Sequence, residues 1–312
     1  MRIGAYECDT PFATAGSGSA RWCVASRDGQ RFFLKQFLSP VRPDTFSTAP
    51  AALRRKQRAR CRAFERRKKA LYEALGCVLG DCVAAVTDFF VYEGRYYAAS
   101  GYVPAPLDTL ETLGRVPPDE ARALLYSLAR CLGRVHAQGI VHADLKPEHV
   151  LVSRGDGRVR LIDFDSGFLE DDPPADAREI DGDPVYLAPE AFLRMTGEPR
   201  ALDRKIDTFA FGAIAHRLYT GRLPEAGESA YLYEAALTGG AIRLAEELPR
   251  PYRWLIAETF RADPAQRPDD ATLVKLFAPP APPPRDTAPC VNGLSRYLRP
   301  EDSRLFPPDE RP

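Results

Sequence analysis

The order in which turn signals and helical periodicity follow one another constrains this chain most. Two Xaa-Gly pairs, Asp28-Gly29 and Glu93-Gly94, each separate runs rich in aromatic and β-branched residues. Such a pair supplies the positive φ angles of a tight hairpin turn. Residues 21–25 and 31–37 therefore form one hairpin, and 82–92 with 95–103 a second. Between the hairpins lies a helical stretch, 51–75. From Pro117 onward helix dominates. Pro118-Asp119-Glu120 is a helix start, and Leu124, Leu125, Leu128, Leu132 and Val135 follow at helical spacing. Short strands are expected at 150–152 and 159–162, and apolar helices at 206–219 and 252–260. The expectation is an α+β fold in which a small β-rich lobe with one long helix precedes a larger, mainly α-helical lobe. The expected boundaries are 1–103, 104–277 and 278–312. The last is a Pro-rich linker and tail, because proline lacks the amide hydrogen and fixes φ.

A chain of 312 residues can build two lobes with separate cores. Its 43 Lys and Arg balance 43 Asp and Glu, so net charge gives no indication of nucleic acid as a partner. Seven cysteines, an odd number with no Cys-x-x-Cys pair, argue against a disulfide framework and a structural zinc site. No apolar run approaches the roughly 20 residues needed to cross a bilayer, and the start lacks a signal-peptide core. A cytoplasmic location is expected.

The chemistry concentrates in two segments. One reads His142-Ala143-Asp144-Leu145-Lys146-Pro147-Glu148-His149; the other, Leu161-Ile162-Asp163-Phe164-Asp165, puts carboxylates at the end of a strand. Phosphoryl transfer needs a group to orient the attacking hydroxyl, cations to neutralise phosphates, and carboxylates to hold those cations. Asp144, Lys146 and Asp163 can supply these functions. An isolated Asp-Leu-Lys-Pro is also what a surface turn looks like. The weight comes from further landmarks in order: Gly16-Ser17-Gly18 before the first hairpin, Lys35 in the third strand, Tyr186-Leu187-Ala188-Pro189-Glu190, Asp207-Thr208-Phe209-Ala210-Phe211-Gly212, and Asp263-Pro264-Ala265-Gln266-Arg267-Pro268.

Together these landmarks resemble the protein kinase superfamily, whose loop reads His-Arg-Asp-Leu-Lys-Pro-Glu-Asn and whose later motif reads Asp-Phe-Gly. High Arg, Ala and Pro content resembles the eukaryotic-like serine/threonine kinases of bacteria in particular. The resemblance implies a bilobal kinase fold and transfer of the γ-phosphate of ATP to protein Ser or Thr hydroxyls, with magnesium or manganese. It implies that Asp144 orients and deprotonates the acceptor, that Lys146 neutralises the γ-phosphate, and that Asp163 binds the metal. Lys35 would hold the α- and β-phosphates, and Gly16 and Gly18 would let backbone approach them. The adenine pocket would lie beside Ser100, Tyr102 and Val103, with Ser100 gating its back. Glu190 and Arg267 would form a structural ion pair, and Asp207 would brace the loop. The family pairs the strand lysine with a helix glutamate. Glu65 is preferred over Glu73, as the only acid among ten basic residues between Arg54 and Lys69. That basic run reads as a solvated face, or as a docking surface for an acidic partner or nucleic acid.

Four departures from the family pattern carry expectations. Arg21 replaces the third glycine of the Gly-rich loop and would cover the nucleotide differently. Ala143 replaces the arginine that pairs with a phosphorylated activation loop. Between Asp163 and Glu190 only Ser166 and Tyr186 carry hydroxyls, so activity independent of loop phosphorylation is expected. His149 stands where the family has Asn, and imidazole suits manganese better than magnesium. Asp165 replaces the glycine of Asp-Phe-Gly and would add a metal-binding carboxylate. Two other functions compete: a pseudokinase acting as a nucleotide- or partner-binding signalling module, and a small-molecule kinase. A regulatory partner in the cytoplasm is expected to supply the input.

Overall fold

The computed structural model describes residues 1–14, 20–43, 49–78, 82–102, 108–153 and 157–280. Gly16, Gly18 and Val103 lie outside the described residues. Contacts divide the chain into Met1–Ala278 and Pro279–Pro312, and the fold is that of the first unit.

It begins with strands β1 (Arg2–Ile3), β2 (Tyr6–Cys8), β3 (Ala20–Arg27) and β4 (Gln30–Phe37), then helix α1 (Ala51–Gly76), then β5 (Val86–Tyr92) and β6 (Arg95–Gly101). The strands form one six-stranded sheet in the order β1-β2-β3-β4-β6-β5, antiparallel throughout. Both expected hairpins form. Asp28 and Gly29 turn the chain with φ of 52° and 76°, Glu93 and Gly94 with 46° and 74°; these left-handed pairs match the twist of the flanking strands. The short hairpin at 2–8 puts two strands ahead of the pair read from sequence, so Lys35 stands in the fourth strand. Residues 82–84 leave the sheet. Instead they bond to Leu161: Leu161 N donates to Cys82 O at 2.7 Å and Ala84 N donates to Leu161 O at 3.0 Å, which ties the sheet lobe to the helical lobe.

Strand alternation sorts the sheet into two faces. Ile3, Tyr6, Cys23, Ala25, Phe32, Leu34, Tyr97 and Ala99 close an outer cluster. Phe37, Tyr96 and Ala98 join the main core, and Lys35 shares their face. Along α1 the buried residues are Cys61, Lys68, Leu71, Tyr72 and Leu75, a helical stripe that packs inward while most of the arginines stay in solvent.

The larger lobe contains β7 (Asp108–Thr109), α2 (Leu110–Leu113), α3 (Pro118–His136), β8 (Ile140–Val141), β9 (Val150–Val152), β10 (Val159–Leu161), β11 (Phe168–Leu169), α4 (Pro189–Met195), α5 (Lys205–Thr220), α6 (Leu232–Thr238), α7 (Arg250–Thr259) and α8 (Asp270–Phe277). Small sheets β10-β9-β7 and β11-β8 carry the site loops. Helix α5 is buried on nearly all sides. At Gly212 a Cβ would meet Thr259 Oγ1 at 1.8 Å, so only glycine lets α5 and α7 approach this closely. Among the described residues no helix is long and apolar enough to cross a membrane.

Candidate active site

The loop between β8 and β9 is built on Asp207, in the first turn of α5 and fully buried. Its carboxylate accepts the backbone N–H of His142 at 2.8 Å and of Ala143 at 2.9 Å. Those bonds hold Ala143 at φ 63°, a left-handed conformation that costs an alanine about 1 kcal/mol. The turn delivers Asp144 to the surface of the cleft. Asp144 Oδ1 accepts the Asp183 backbone N–H at 2.9 Å. Lys146 Nζ lies 3.3 Å from Asp144 Oδ2 and 3.7 Å from Asp183 Oδ2. Burial opposes the Lys146 charge, but Asp144, Asp183 and Glu148 together outweigh it and hold the ammonium above its usual range.

His149 closes the same loop. Its Nδ1 lies 2.8 Å from the Asp144 carbonyl oxygen, which can only accept, so Nδ1 carries the proton. Nε2 is left with its lone pair toward Asp163 Oδ2, 3.7 Å away. Burial lowers the pKa of this imidazole and favours the neutral, ligating form.

Across the cleft, Lys35 Nζ sits 2.9 Å from Asp163 Oδ1 and 2.9 Å from Asp165 Oδ2. Burial disfavours the Lys35 charge, yet the carboxylates of Asp165 and Asp163 push its pKa up to about 12. Burial likewise works against the Asp163 carboxylate, and Lys35 holds it down at about 2. The expected Lys35–Glu65 pair does not form. Glu65 turns away to Arg42, whose Nε lies at 3.0 Å, and to the Tyr96 hydroxyl. The α1 side chain that does reach this group is Lys68, which donates to the carbonyls of Phe164 and Asp165 at 3.3 and 2.5 Å. Sequence reasoning missed Lys68. The signal was present: it stands seven residues after Cys61, three and four before Leu71 and Tyr72, and seven before Leu75, all on the buried stripe.

A cavity of about 210 Å³ opens between the lobes. Val86, Ala98, Leu151 and Tyr72 give it an apolar wall; Lys35, Asp163 and Asp165 form its polar end; Ser100 and Tyr102 line it beside the link between lobes. Arg21 is on the other side of the sheet, where it donates to Gln36 and lies 4.9 Å from the Phe12 ring centre. The expectation that it covers a nucleotide therefore fails, because strand pairing puts Trp22, not Arg21, opposite Lys35.

The scaffold is equally defined. Arg267 meets Glu190 through two 2.7 Å bonds, both side chains buried. His136, a second residue that sequence reasoning missed, bridges Asp207 at 3.0 Å and Asp270 at 2.8 Å. Arg67 on α1 reaches Glu179 at 2.7 Å, and Arg66 reaches Asp172 at 3.6 Å, so part of the basic run pairs with the acidic segment after Asp165.

A protein kinase domain model matches residues 72–276. The serine/threonine-protein kinase pkn2 of Myxococcus xanthus is 38% identical over 120 residues, covering 36% of this chain and 14% of that protein. PkaA of Streptomyces coelicolor, also a serine/threonine-protein kinase, is 32% identical over 165 residues, 52% of this chain and 30% of its own. Sperm motility kinase 2B of Mus musculus is 31% identical over 166 residues, 53% and 33% of the two chains. The chain thus spans no more than a third of these relatives. With the bilobal α+β architecture, the match over residues 72–276 shows that this chain belongs to the protein kinase family.

Proposed function

We propose that this chain transfers the γ-phosphate of ATP to serine or threonine hydroxyls of protein substrates. The observation that carries the reading is that His149, 3.5 Å from Asp144 Oδ2 and 3.7 Å from Asp163 Oδ2, joins the Asp144–Lys146 pair to the Lys35–Asp163 pair. The adenine base would sit in the apolar part of the cavity beside Ser100 and Tyr102, and the phosphates at its polar end with Lys35. On this reading 1–103 is the nucleotide-binding lobe, 104–277 the catalytic lobe and 278–312 a linker and tail.

In the reaction, the acceptor hydroxyl gives its proton to Asp144 while its oxygen bonds to the γ-phosphorus and the bond to the β-phosphate oxygen breaks. Lys146, paired with Asp144, faces the charge that gathers on the transferred group. Lys35 holds the α- and β-phosphates. The donor set fits a divalent cation: a carboxylate oxygen of Asp163 and the Nε2 lone pair of His149 face each other, and phosphate oxygens would complete the shell. When bound, magnesium or manganese neutralises the β- and γ-phosphates, and the imidazole tilts preference toward manganese. Asp165, expected as a third metal ligand, instead has its carboxylate turned to Lys35.

Activity without loop phosphorylation has a physical basis. Glu179 and Asp172 occupy Arg67 and Arg66, a task that a phosphate performs where the loop is regulated. Mass spectrometry showing that Ser166 must be phosphorylated for turnover would remove this part of the reading. The reading as a whole is tested with γ-labelled ATP and a mixed peptide acceptor, followed by phosphoamino-acid analysis. Label on serine and threonine is expected. Label confined to tyrosine, or found only on small alcohols, would overturn it.

A further inference from the structure

We infer that the carboxylate orienting Lys35 has moved from α1 to Asp165, and that α1 secures Asp165 through Lys68, making both positioning residues for the phosphate-holding lysine. The functional consequence rests on the proposed kinase reading; the geometry does not.

Lys35 Nζ has two acidic neighbours, Asp163 and Asp165, each at 2.9 Å. On the proposed reading Asp163 is committed to the metal, which leaves Asp165 as the acid that stays with Lys35. Neither candidate acid of α1 reaches it. Glu65 is engaged with Arg42 and Tyr96, and Glu73 is exposed. The helix position that faces the site carries a cation instead, Lys68, only 7% exposed.

Two buried ammonium groups in one site repel unless acid stands between them. Asp165 supplies it. Its side chain pairs with Lys35, and its backbone carbonyl, with that of Phe164, accepts from Lys68. The family arrangement, an acid on the helix and glycine after Asp-Phe, has the reverse distribution. Lysine at 68 with aspartate at 165 and glutamate at 68 with glycine at 165 are therefore alternative, charge-complementary solutions. Either half alone leaves a buried charge without its counterpart.

The arrangement also changes what α1 does. Lys68 grips backbone, so the helix is tied to residues 164–165 whether or not Lys35 is paired. The carboxylate that orients Lys35 then comes from the loop after β10, and the helix acts on Lys35 only through the hold of Lys68 on residues 164–165.

The test is a set of purified variants of the 312-residue chain read in two ways: affinity for a fluorescent ATP analogue with Mg or Mn, and thermal melts without nucleotide. Asp165→Asn, an isostere that preserves packing, is expected to weaken analogue binding at least about tenfold, the loss of one charge-assisted contact. Asp165→Gly and Lys68→Glu should each do the same or worse. Lys68→Glu with Asp165→Gly should return to within about threefold of the parent, because the acid again approaches Lys35 from the helix. In the melts, Lys35→Met and Asp165→Asn should be non-additive, the double variant losing less than the two singles together. A double swap no better than its worse single, or strictly additive melts, would overturn the inference. If the parent chain binds no nucleotide, the kinase reading fails, and the melts still decide the pairing.

Discussion

His136 offers a test of the scaffold with its own pH signature. It is the last residue of α3, with its side chain about 1% exposed, and it touches Asp207 with Nε2 and Asp270 with Nδ1. Carboxylate oxygens only accept, so both ring nitrogens donate and the ring is an imidazolium. Burial alone would discharge it, but the bonds to Asp207 and Asp270 outweigh burial and raise its pKa from 6.5 to about 9. A base with a raised folded pKa contributes its full stability below the unfolded pKa and loses it as pH rises through the folded one. The window therefore runs from about 6.5 to about 9, and at about 1.4 kcal/mol per unit the contribution is about 3 kcal/mol. Urea denaturation of the parent and of His136→Gln, stepped from pH 6 to 9.5, reads it directly. The parent should lose about 3 kcal/mol more than the variant across the window. Other groups titrating there are common to both proteins, so the difference isolates His136. Curves that run parallel, with a constant offset, would refute the imidazolium bridge. Because Asp207 also holds the His142 and Ala143 amides, the same variant should lower turnover on the kinase reading.

Further outcomes follow from single contacts. Arg267→Leu leaves Glu190 buried without its partner and should destabilise the chain by about 3–5 kcal/mol in denaturant melts. Glu65→Gln should leave nucleotide affinity within about twofold of the parent and cost at most about 1 kcal/mol, since its ion pair with Arg42 is partly in solvent. Gly212→Ala forces α5 off Thr259 and should lower stability by about 1–3 kcal/mol, measured as a drop in Tm.

The parts of the fold that local rules govern were legible in the sequence. Asp28-Gly29 and Glu93-Gly94 mark their hairpins, the apolar spacing of α3 marks that helix, and the stretches 51–75 and 206–219 match α1 and α5 to within a few residues. The loop at 142–149 and Asp163 were legible because adjacent residues act together there. What escaped depends on helix register against the sheet. Glu65 stands out as the lone acid of a basic run, yet it lies nearly one helical turn before Lys68, the position that reaches residues 164–165, and its carboxylate is taken up by Arg42 and Tyr96. Lys68 was hidden by its chemistry: a search for an acid passes over a lysine, although that lysine stands on the apolar stripe. Asp165 reads as a metal ligand from its place two residues after Asp163, the candidate ligand; only the fold shows that its carboxylate turns to Lys35. The role of His136 required knowing that α3, α5 and α8 converge.

The most direct test of phosphoryl transfer at this cleft compares the parent with Asp144→Asn in a single-turnover assay with labelled ATP, alongside nucleotide affinity. The Asp144 carboxylate contacts Lys146, the Asp183 amide and, at 3.5 Å, His149 Nδ1, and it does not line the cavity that holds Lys35. Transfer should therefore fall by about 10²–10⁴-fold, the contribution of a positioned general base, while nucleotide affinity stays within about threefold. Transfer that persists in Asp144→Asn, or a parent that binds nucleotide and transfers nothing, would contradict it.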